Sequence, residues 1–477
     1  MIFHSLEFLA FVIITLAAYW VLPMRAQNVL LLVASYLFYG WIHPWFVALI
    51  FATSVIDYWS ARGMTMFPER KKAFLWLSIV TNFGLLGFYK YFGFFVDNVA
   101  AAGDSLGWNI PHIALRVALP VGISFYTFQS MSYTIDVYRG HAPARRRFVD
   151  VAAFIAFFPH LVAGPIMRAT NLLPQFERER RFSAAAARDA TVLMVWGFFK
   201  KLVIADNVGV IANKVFALAD PEFFVLWAGV FAFAIQIYAD FSAYTDIARG
   251  VAKWFGFELI KNFERPYLAT GPGDFWRRWN ISLSTWFRDY VYIPLGGSRR
   301  GPWRQAANIL ITFLASGLWH GASWNYVLWG AYHGMLLVVA RARGPASPQR
   351  HATRGWLWPL QAAGMFVLTC IGWLIFRETE FAQLARDLRL VPWQSSAIGT
   401  SAGLYLFLLA ALYSVPLWIH DLWAELKGAD LVAAIETPEV DVNWRRTAAQ
   451  ALLSGVLVTA IVTLRSRTAL DFIYFAF

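Results

Sequence analysis

The sequence contains little charge and almost no cysteine. Only 15% of its 477 residues are charged, whereas 59% are hydrophobic, and the mean hydropathy is +0.50. A soluble protein has about a quarter of its residues charged, so this composition excludes an ordinary soluble domain. Cys370 is the single cysteine, which excludes an intrachain disulfide and a cysteine-based metal site. The composition therefore predicts a polytopic membrane protein.

The sequence also lacks the short motifs of several large enzyme and transporter classes. It contains no P-loop, no GxGxxG fingerprint and no HExxH pair. These absences disfavour ATP-driven transport and dinucleotide chemistry. We detect no internal repeat of the kind that many secondary transporters carry, so a transporter is the weaker alternative to an enzyme.

The positive charge lies mainly in short segments between apolar runs. The formal net charge is +12, and basic clusters occur at 62–72, 139–147 and 341–355. Such clusters mark cytoplasmic loops under the positive-inside rule, which accounts for the charge without nucleic acid as a partner. The first residues lack a basic leader and a cleavage site, which predicts an uncleaved first span. Counting back from the first cluster through three spans predicts an extracytoplasmic N-terminus.

The apolar runs predict an all-α fold with roughly ten to twelve membrane spans, plus re-entrant and amphipathic helices. A single domain, 1–477, is expected, with N-terminal spans (1–147), a central core (148–340) and C-terminal spans with a tail (341–477). Outside the central stretch described next, the runs lie near 6–22, 28–42, 44–61, 73–96, 117–137, 189–212, 223–255, 356–376, 402–420 and 447–464.

One central stretch combines charged, aromatic and apolar residues. Its first part, GPGDFWRRWNISLSTWFRDYVYIPLGGSRRG (271–301), is too charged to cross a bilayer and predicts an amphipathic platform. Its second part, NILITFLASGLWHGASWNYVLWGAYHG (308–334), is apolar enough to cross and carries His320 near its middle. An ionisable residue in such a segment is a candidate functional residue, because a leucine would pack there at lower cost. No acid occurs between 301 and 340, so any acidic partner of His320 lies elsewhere in the chain.

These two parts resemble the signature of the membrane-bound O-acyltransferase family, in the branch that contains alginate O-acetylation and teichoic-acid D-alanylation proteins. Four other pieces also resemble that family, and the resemblance covers roughly residues 30 to 335. These pieces are PVGISFYTFQSMSYTIDVYRG (120–140), FFPHLVAGPIMR (157–168), GFFKKLVIADN (197–207) and QIYADFSAYTDIARG (236–250).

The resemblance implies that His320 is the catalytic histidine, in a tunnel that crosses the membrane. It implies an acyl thioester as donor, acetyl-CoA in the first instance and a D-alanyl or other acyl donor as the alternative, with no bound cofactor and no metal. The acceptor would be an extracytoplasmic polysaccharide or an acyltransferase of the SGNH type that serves it. The expected location is the bacterial inner membrane, with membrane lipid around the protein.

A set of residues near His320 is predicted to bind substrate: Trp276, Arg277, Asn280, Arg288, Trp319 and His333. Relatives in the family often have histidine where this chain has Asn280, whose amide can position a thioester carbonyl but cannot exchange a proton at neutral pH. The arginines suit a phosphorylated donor, although interfacial anchoring is the plainer interpretation of each. His333 would face another side of a continuous helix from His320, so we expect a supporting role.

Other polar residues in apolar surroundings favour structural roles. Residues 157–168 contain two prolines and a glycine, which predicts a buried, non-helical, re-entrant segment, with His160 structural rather than catalytic. Asp240 and Asp246 are expected to form a polar network, with Asp240 and Tyr244 on one helix face. Residues 200–206, KKLVIAD, are interpreted as the boundary of a span.

The C-terminus, DFIYFAF, has two interpretations. Its aromatic residues suit a plug that packs against the outer leaflet. The ending FIYFxF also resembles the C-terminal motif of some members of the family and of a small partner in D-alanylation, which implies that Tyr474 is a transient acyl carrier. A phenol is suited to that role because it is more easily deprotonated than an alcohol and is a better leaving group.

Overall fold

The described part of the chain consists of helices joined by turns and irregular segments. The computed structural model describes residues 1, 3, 5–41, 43–108, 119–344, 355–427, 444–468 and 470–473. Within these residues no strand occurs, which confirms the predicted all-α class. Five helices in the same residues are long and apolar enough to cross a membrane: Pro68–Ser105, Phe223–Trp254, Trp358–Arg377, Ala397–Lys427 and Thr447–Leu464. The count of ten to twelve spans, the tunnel and the single-domain organisation stay predictions.

The first of two compact units comprises Met1–Ser183 and Val251–Ile260. Its helices begin and end close to the predicted apolar runs. They are α1 (Leu6–Trp20), α2 (Met24–Gly40), α3 (Phe46–Met66), α4 (Lys71–Leu86), α5 (Phe92–Ser105), α6 (Ile123–Arg139), α7 (Phe148–Ala156) and α8 (Ala169–Glu177). A π-helical turn, Gly87–Tyr91, joins α4 to α5.

Buried polar side chains connect the helices of this unit. Asp57 on α3 accepts hydrogen bonds from Asn82 on α4, at 2.9 and 3.1 Å, and from Ser130 on α6. Because apolar faces alone give little orientation to helices within lipid, such bonds fix how the three helices face one another. The sequence showed only isolated polar residues here, since their partners are far apart along the chain.

The segment 157–168 is buried and non-helical, as predicted. Nε2 of His160 lies 2.9 Å from the side-chain oxygen of Gln129, and that oxygen also accepts the backbone N–H of Met167 at 3.3 Å. The amide nitrogen of Gln129 donates to the carbonyl of Phe154. These bonds satisfy polar groups of the irregular backbone, which supports the structural interpretation of His160.

The second unit comprises Ala184–Gly250 and Lys261–Phe477. Two π-helical turns, Lys200–Ala205 and Arg288–Tyr292, interrupt its helices. These helices are α9 (Ala184–Phe199), α10 (Asp206–Phe216), α11 (Phe223–Trp254, ending in the first unit), α12 (Pro272–Arg278), α13 (Ile281–Phe287), α14 (Pro302–His320), α15 (Trp324–Ala342), α16 (Trp358–Arg377), α17 (Phe381–Asp387), α18 (Ala397–Lys427) and α19 (Trp444–Leu464).

The charged residues of KKLVIAD, which the sequence analysis places at the boundary of a span, are buried within the second unit. Lys200 pairs with Asp246 at 2.7 Å. Lys201 pairs with Asp206 at 2.8 Å and with Asp240 at 3.1 Å. Each lysine offsets the charge of an acid from an apolar run, so ion pairs hold the segment inside the unit, and its place relative to the membrane stays a prediction. The same pairs confirm the predicted network of Asp240 and Asp246.

Parts of three predicted loops lie outside the described residues. They belong to the connection between the predicted runs 73–96 and 117–137, to the basic cluster at 341–355, and to the connection between the runs 402–420 and 447–464. The run 73–96 was also predicted to end too early, because α5 continues to Ser105. Tyr474 lies outside the described residues as well.

Candidate active site

His320 is the last residue of α14, and α15 begins at Trp324. The apolar stretch 308–334 is therefore a helical hairpin, and the prediction of one continuous segment with His320 near its middle is wrong. Two glycines explain how closely the two helices pack. A Cβ on Gly317 would overlap the carbonyl oxygen of Tyr326, and a Cβ on Gly330 would overlap that of Phe313. This backbone contact fixes His320 at the turn of the hairpin.

The imidazole of His320 is buried among aromatic rings. Its centroid lies 4.9 Å from that of Trp329, 5.0 Å from that of Trp319 and 5.3 Å from that of Phe376, each in an edge-on arrangement. The side chain is only 6% exposed. These rings hold the imidazole in one orientation and keep bulk water away from it, which suits a proton-transferring group.

His333 on α15 contacts the same tryptophan as His320. Its ring centroid is 5.0 Å from that of Trp329 and 5.2 Å from that of Trp276, and it stacks on Phe275 at 6.1 Å. The expectation that His320 and His333 face different sides of one helix is wrong, because the hairpin brings both rings against Trp329. Within the described residues, Nδ1 of His333 is buried without a hydrogen-bond partner.

Trp276 on α12 brings the amphipathic platform to the hairpin. Its ring lies 5.1 Å from Phe313 and 5.6 Å from Trp329, measured between centroids. Within the described part of the chain, its indole N–H is buried and has no acceptor. Trp319 and His333 thus belong to the hairpin and Trp276 packs against it, while the roles of all three in binding substrate stay predictions.

Asn280 has a strained backbone and an unsatisfied side chain. Its φ and ψ of 40° and 57° are left-handed, a conformation that asparagine tolerates better than most residues. The side chain is 2% exposed, and neither its oxygen nor its nitrogen has a hydrogen-bond partner in the described residues. A buried amide without partners costs about 1–3 kcal/mol per polar atom, so a bound group that fills both positions would recover this energy.

Asn262 holds the chain that follows Asn280. Its backbone carbonyl accepts the N–H of Ile281 at 2.9 Å, and its side-chain oxygen accepts the N–H of Ser282 at 3.1 Å. Both donors belong to the first turn of α13, where N–H groups have no partner within the helix. Asn262 therefore fixes the start of α13, and with it the left-handed residue before it. The motif at 271–301 gave no indication of this partner.

The arginines of the platform are paired with acids. Arg277 lies 3.2 Å from Asp274, and Arg288 lies 2.7 Å from Asp289. Their side chains are 45% and 59% exposed, so these pairs add little stability and leave both guanidinium groups accessible to an anion. This placement agrees with either of the two interpretations, and a role in donor binding stays a prediction.

Arg278 differs from its neighbours because Glu425 on α18 holds it. Its two terminal nitrogens lie 3.0 and 3.1 Å from the oxygens of that carboxylate. Burial alone would lower the pKa of Arg278, but the hydrogen bonds to Glu425 and the nearby Asp274 more than offset it and raise that pKa. This bidentate pair ties α12 to α18 and makes Arg278 a structural residue rather than a free anion-binding group.

Comparison with known proteins identifies the family. Residues 139–376 match the model of MBOAT, the membrane-bound O-acyltransferase family. The probable alginate O-acetylase AlgI of Pseudomonas putida is 38% identical, with all of both chains aligned. The protein of the same name from Azotobacter vinelandii is 43% identical over 79% of this chain and 75% of its own. The chain belongs to the membrane-bound O-acyltransferase family.

The similarity extends to a relative that is named for a different substrate. The peptidoglycan O-acetyltransferase of Helicobacter pylori is 33% identical over 80% of this chain and 77% of its own. The family and the helical, apolar structure together establish an integral membrane O-acyltransferase, as the sequence predicted.

This O-acyltransferase also binds its own C-terminal segment. Nζ of Lys201 lies 2.9 Å from the carbonyl oxygen of Leu470, and Asp240 accepts the backbone N–H of Ile473 at 2.7 Å. The ring of Phe472 packs at 4.6 Å from that of Tyr244. The prediction that Asp240 and Tyr244 share a helix face is thus confirmed, and both contact the C-terminal segment. The sequence showed charges in apolar runs but not this partner.

Proposed function

We propose that the protein transfers an acetyl group from a cytoplasmic thioester, acetyl-CoA in the first instance, for O-acylation of an extracytoplasmic polysaccharide. The observation that carries the proposal is the buried amide of Asn280, which has no hydrogen-bond partner among the described residues and belongs to the platform that packs against the hairpin of His320. An amide donor of this kind can polarise a thioester carbonyl. The similar proteins are named as an alginate O-acetylase and a peptidoglycan O-acetyltransferase, and these names favour acetyl as the acyl group.

His320 would act as the general base of the transfer. In its neutral form the imidazole takes the proton of an attacking hydroxyl, whose oxygen forms a new bond to the thioester carbonyl carbon. The C–S bond then breaks, and the departing thiolate takes up the proton from the imidazolium. The products are an ester and a free thiol, so the step needs no cofactor and no metal.

Tyr474 would supply the first attacking hydroxyl. The residue before it, Ile473, donates its backbone N–H to Asp240, which ties the last described residues to α11. The resulting aryl ester is a better acyl donor than an alkyl ester, because a phenolate is the better leaving group. Transfer from Tyr474 to an external hydroxyl would then complete the reaction, directly or through an SGNH-type acyltransferase as partner.

We expect Tyr474→Phe to abolish a covalent acyl adduct on the protein. Purified protein incubated with isotope-labelled acetyl-CoA should carry one added acetyl group on the C-terminal peptide, detected by mass spectrometry. The label should disappear in Tyr474→Phe, and transfer to the acceptor should fall by about 100-fold or more, because the nucleophile is lost. Full transfer by Tyr474→Phe would rule out the relay while leaving direct transfer intact.

We expect Asn280→His to retain transfer and Asn280→Leu to lose it. Histidine tolerates a left-handed backbone and can still donate to a carbonyl, whereas leucine does neither well. Asn280→Gly is the matched control, since glycine accepts the backbone without strain but lacks the amide. If the amide matters, the glycine variant should resemble leucine in its KM for acetyl-CoA. Equal activity of all three variants would remove Asn280 from the site.

The same assay distinguishes the acceptor and the function class. Wild-type membranes should release free CoA from acetyl-CoA only when a competent acceptor is present, and the acceptors to compare are alginate and peptidoglycan fragments. Transfer from D-alanyl thioesters but not from acetyl-CoA would favour the D-alanyl alternative. Uptake of a solute without thioester turnover would favour a transporter.

Protease protection of a tag at the N-terminus of the full chain tests the predicted extracytoplasmic orientation.

A further inference from the structure

The second unit contains a polar cavity that the proposed chemistry does not use. It lies between α9, α11, α18 and the loop at 261–265, and encloses about 60 Å³. That volume holds roughly four water molecules, enough for a narrow polar chain but not for a nucleotide. Residues that line it include Trp196, Lys200, Tyr238, Asn262, His420 and Asp421. We call it the Asn262–His420 cavity.

The charged groups of this cavity largely neutralise one another. Lys200 and Arg249 both pair with Asp246, at 2.7 and 3.5 Å. Arg265 pairs with Glu264 at 3.3 Å. Since each of these cations has an acid beside it, the cavity is not built to capture a strongly charged ligand such as a free phosphate.

Asn262 and His420 each have one side-chain atom without a hydrogen-bond partner among the described residues. The side-chain oxygen of Asn262 accepts the N–H of Ser282, which fixes the amide so that its nitrogen is the free end. Asn262 is 1% exposed, and within the described residues that nitrogen has no acceptor. It is therefore a buried donor that a ligand carbonyl would satisfy.

His420 supplies the complementary group. Its Nδ1 lies 3.0 Å from one oxygen of Asp421, whose other oxygen accepts the hydroxyl of Tyr238 at 2.8 Å. A carboxylate accepts only, so the hydrogen of this contact is on Nδ1, and in the tautomer with that hydrogen Nε2 is the acceptor. Nε2 is buried and has no partner among the described residues, while the ring packs at 5.0 Å from Trp196. His420 thus offers an acceptor in a fixed orientation.

A donor and an acceptor, both neutral and both fixed, match a secondary amide in a narrow chain. We propose that the Asn262–His420 cavity is a subsite for an amide of the pantetheine arm of the thioester donor. Asn262 Nδ2 donates to the amide carbonyl, and His420 Nε2 accepts the amide N–H. The inference rests on the proposed function, since it presupposes a thioester donor. Asn262 also accepts the backbone N–H groups of the two residues after Asn280. The same asparagine would therefore bind the pantetheine amide and hold the backbone next to Asn280, the residue proposed to polarise the thioester.

The test combines enzyme variants with donors that differ in their amides. The donors are acetyl-CoA, S-acetyl-N-acetylcysteamine, which keeps one amide, and an S-acetyl alkanethiol, which has none. The variants are His420→Phe, which keeps a ring on Trp196 but removes the acceptor, and Asn262→Asp, which keeps the oxygen for Ser282 but removes the donor. Ser414→Ala on the same helix as His420 is the control, because within the described residues its hydroxyl donates to the backbone carbonyl of Ala411 and not to a group of the cavity.

For each variant we expect KM for acetyl-CoA to rise about tenfold, the loss for one hydrogen bond of about 1.4 kcal/mol, with kcat changed less than about twofold. The alkanethiol donor should show no difference between wild type and variants, and S-acetyl-N-acetylcysteamine should reveal which amide occupies the cavity. Ser414→Ala should behave as wild type with all donors.

Two outcomes would overturn the inference. An equal rise in KM for amide-bearing and amide-free donors would assign the cavity to structural water only. A loss of kcat with every donor would mean that the two residues act on folding or chemistry rather than on binding. Failure of the wild-type protein to use any thioester would instead reject the proposed function itself.

Discussion

Replacing His320 with alanine should lower kcat for acyl transfer by about 10²–10⁴-fold, the range expected when a general base is removed. The protein should still fold, because the loss of the imidazole removes ring contacts but strands no charge. Transfer is measured with labelled acetyl-CoA, and folding by the thermal midpoint in detergent. A folded His320→Ala protein with wild-type transfer would reject His320 as the base.

A second substitution separates chemistry from packing at this position. His320→Phe keeps an aromatic ring against Trp329 and Phe376 but has no nitrogen to take a proton. It should be as inactive as the alanine variant and at least as stable. His333→Ala should lower activity less, because His333 is predicted to support substrate binding rather than to transfer the proton. If phenylalanine restored transfer, the ring contacts and not the proton transfer would explain the alanine result.

Replacing Lys201 with methionine should destabilise the protein by about 3–5 kcal/mol, because two buried carboxylates lose their cation. Asp206 and Asp240 are each 2% exposed and pair with Lys201 at 2.8 and 3.1 Å. The ammonium also donates to the carbonyl of Leu470, so the C-terminal segment loses a contact. The thermal midpoint in detergent should fall markedly, and cleavage at the C-terminus by carboxypeptidase should accelerate.

The neighbouring lysine provides the matched control. Lys200 is equally buried, but its partner Asp246 also lies 3.5 Å from Arg249 and therefore keeps a cation when Lys200 is removed. Lys200→Met should cost distinctly less stability than Lys201→Met, with no change at the C-terminus. Adding Asp206→Asn to Lys201→Met should recover part of the loss by removing one of the stranded charges. Equal costs for the two lysines would show that burial alone matters and not the number of partners.

The amino-acid sequence by itself determined the class, the family and the limits of most helices. Long apolar runs become helices in lipid because only a helix satisfies its backbone internally, so the runs at 6–22 and 356–376 appear as Leu6–Trp20 and Trp358–Arg377. The non-helical segment at Pro159 and Gly164 could also be predicted from the sequence, because proline and glycine interrupt helices. The residues near His320 were found through the motif they share with the family.

Tertiary structure decided how those residues meet. The apolar stretch 308–334 looked like one span because hydropathy does not record a tight turn, whereas the glycines at 317 and 330 let its two halves pack backbone to backbone. The ion pairs of Lys201 could not be predicted from the sequence, because Asp206 and Asp240 approach it only when α10 and α11 fold against it. Hydropathy is summed along the chain, but pairing of charges and close packing depend on neighbours in space, and only the folded helices bring those neighbours together.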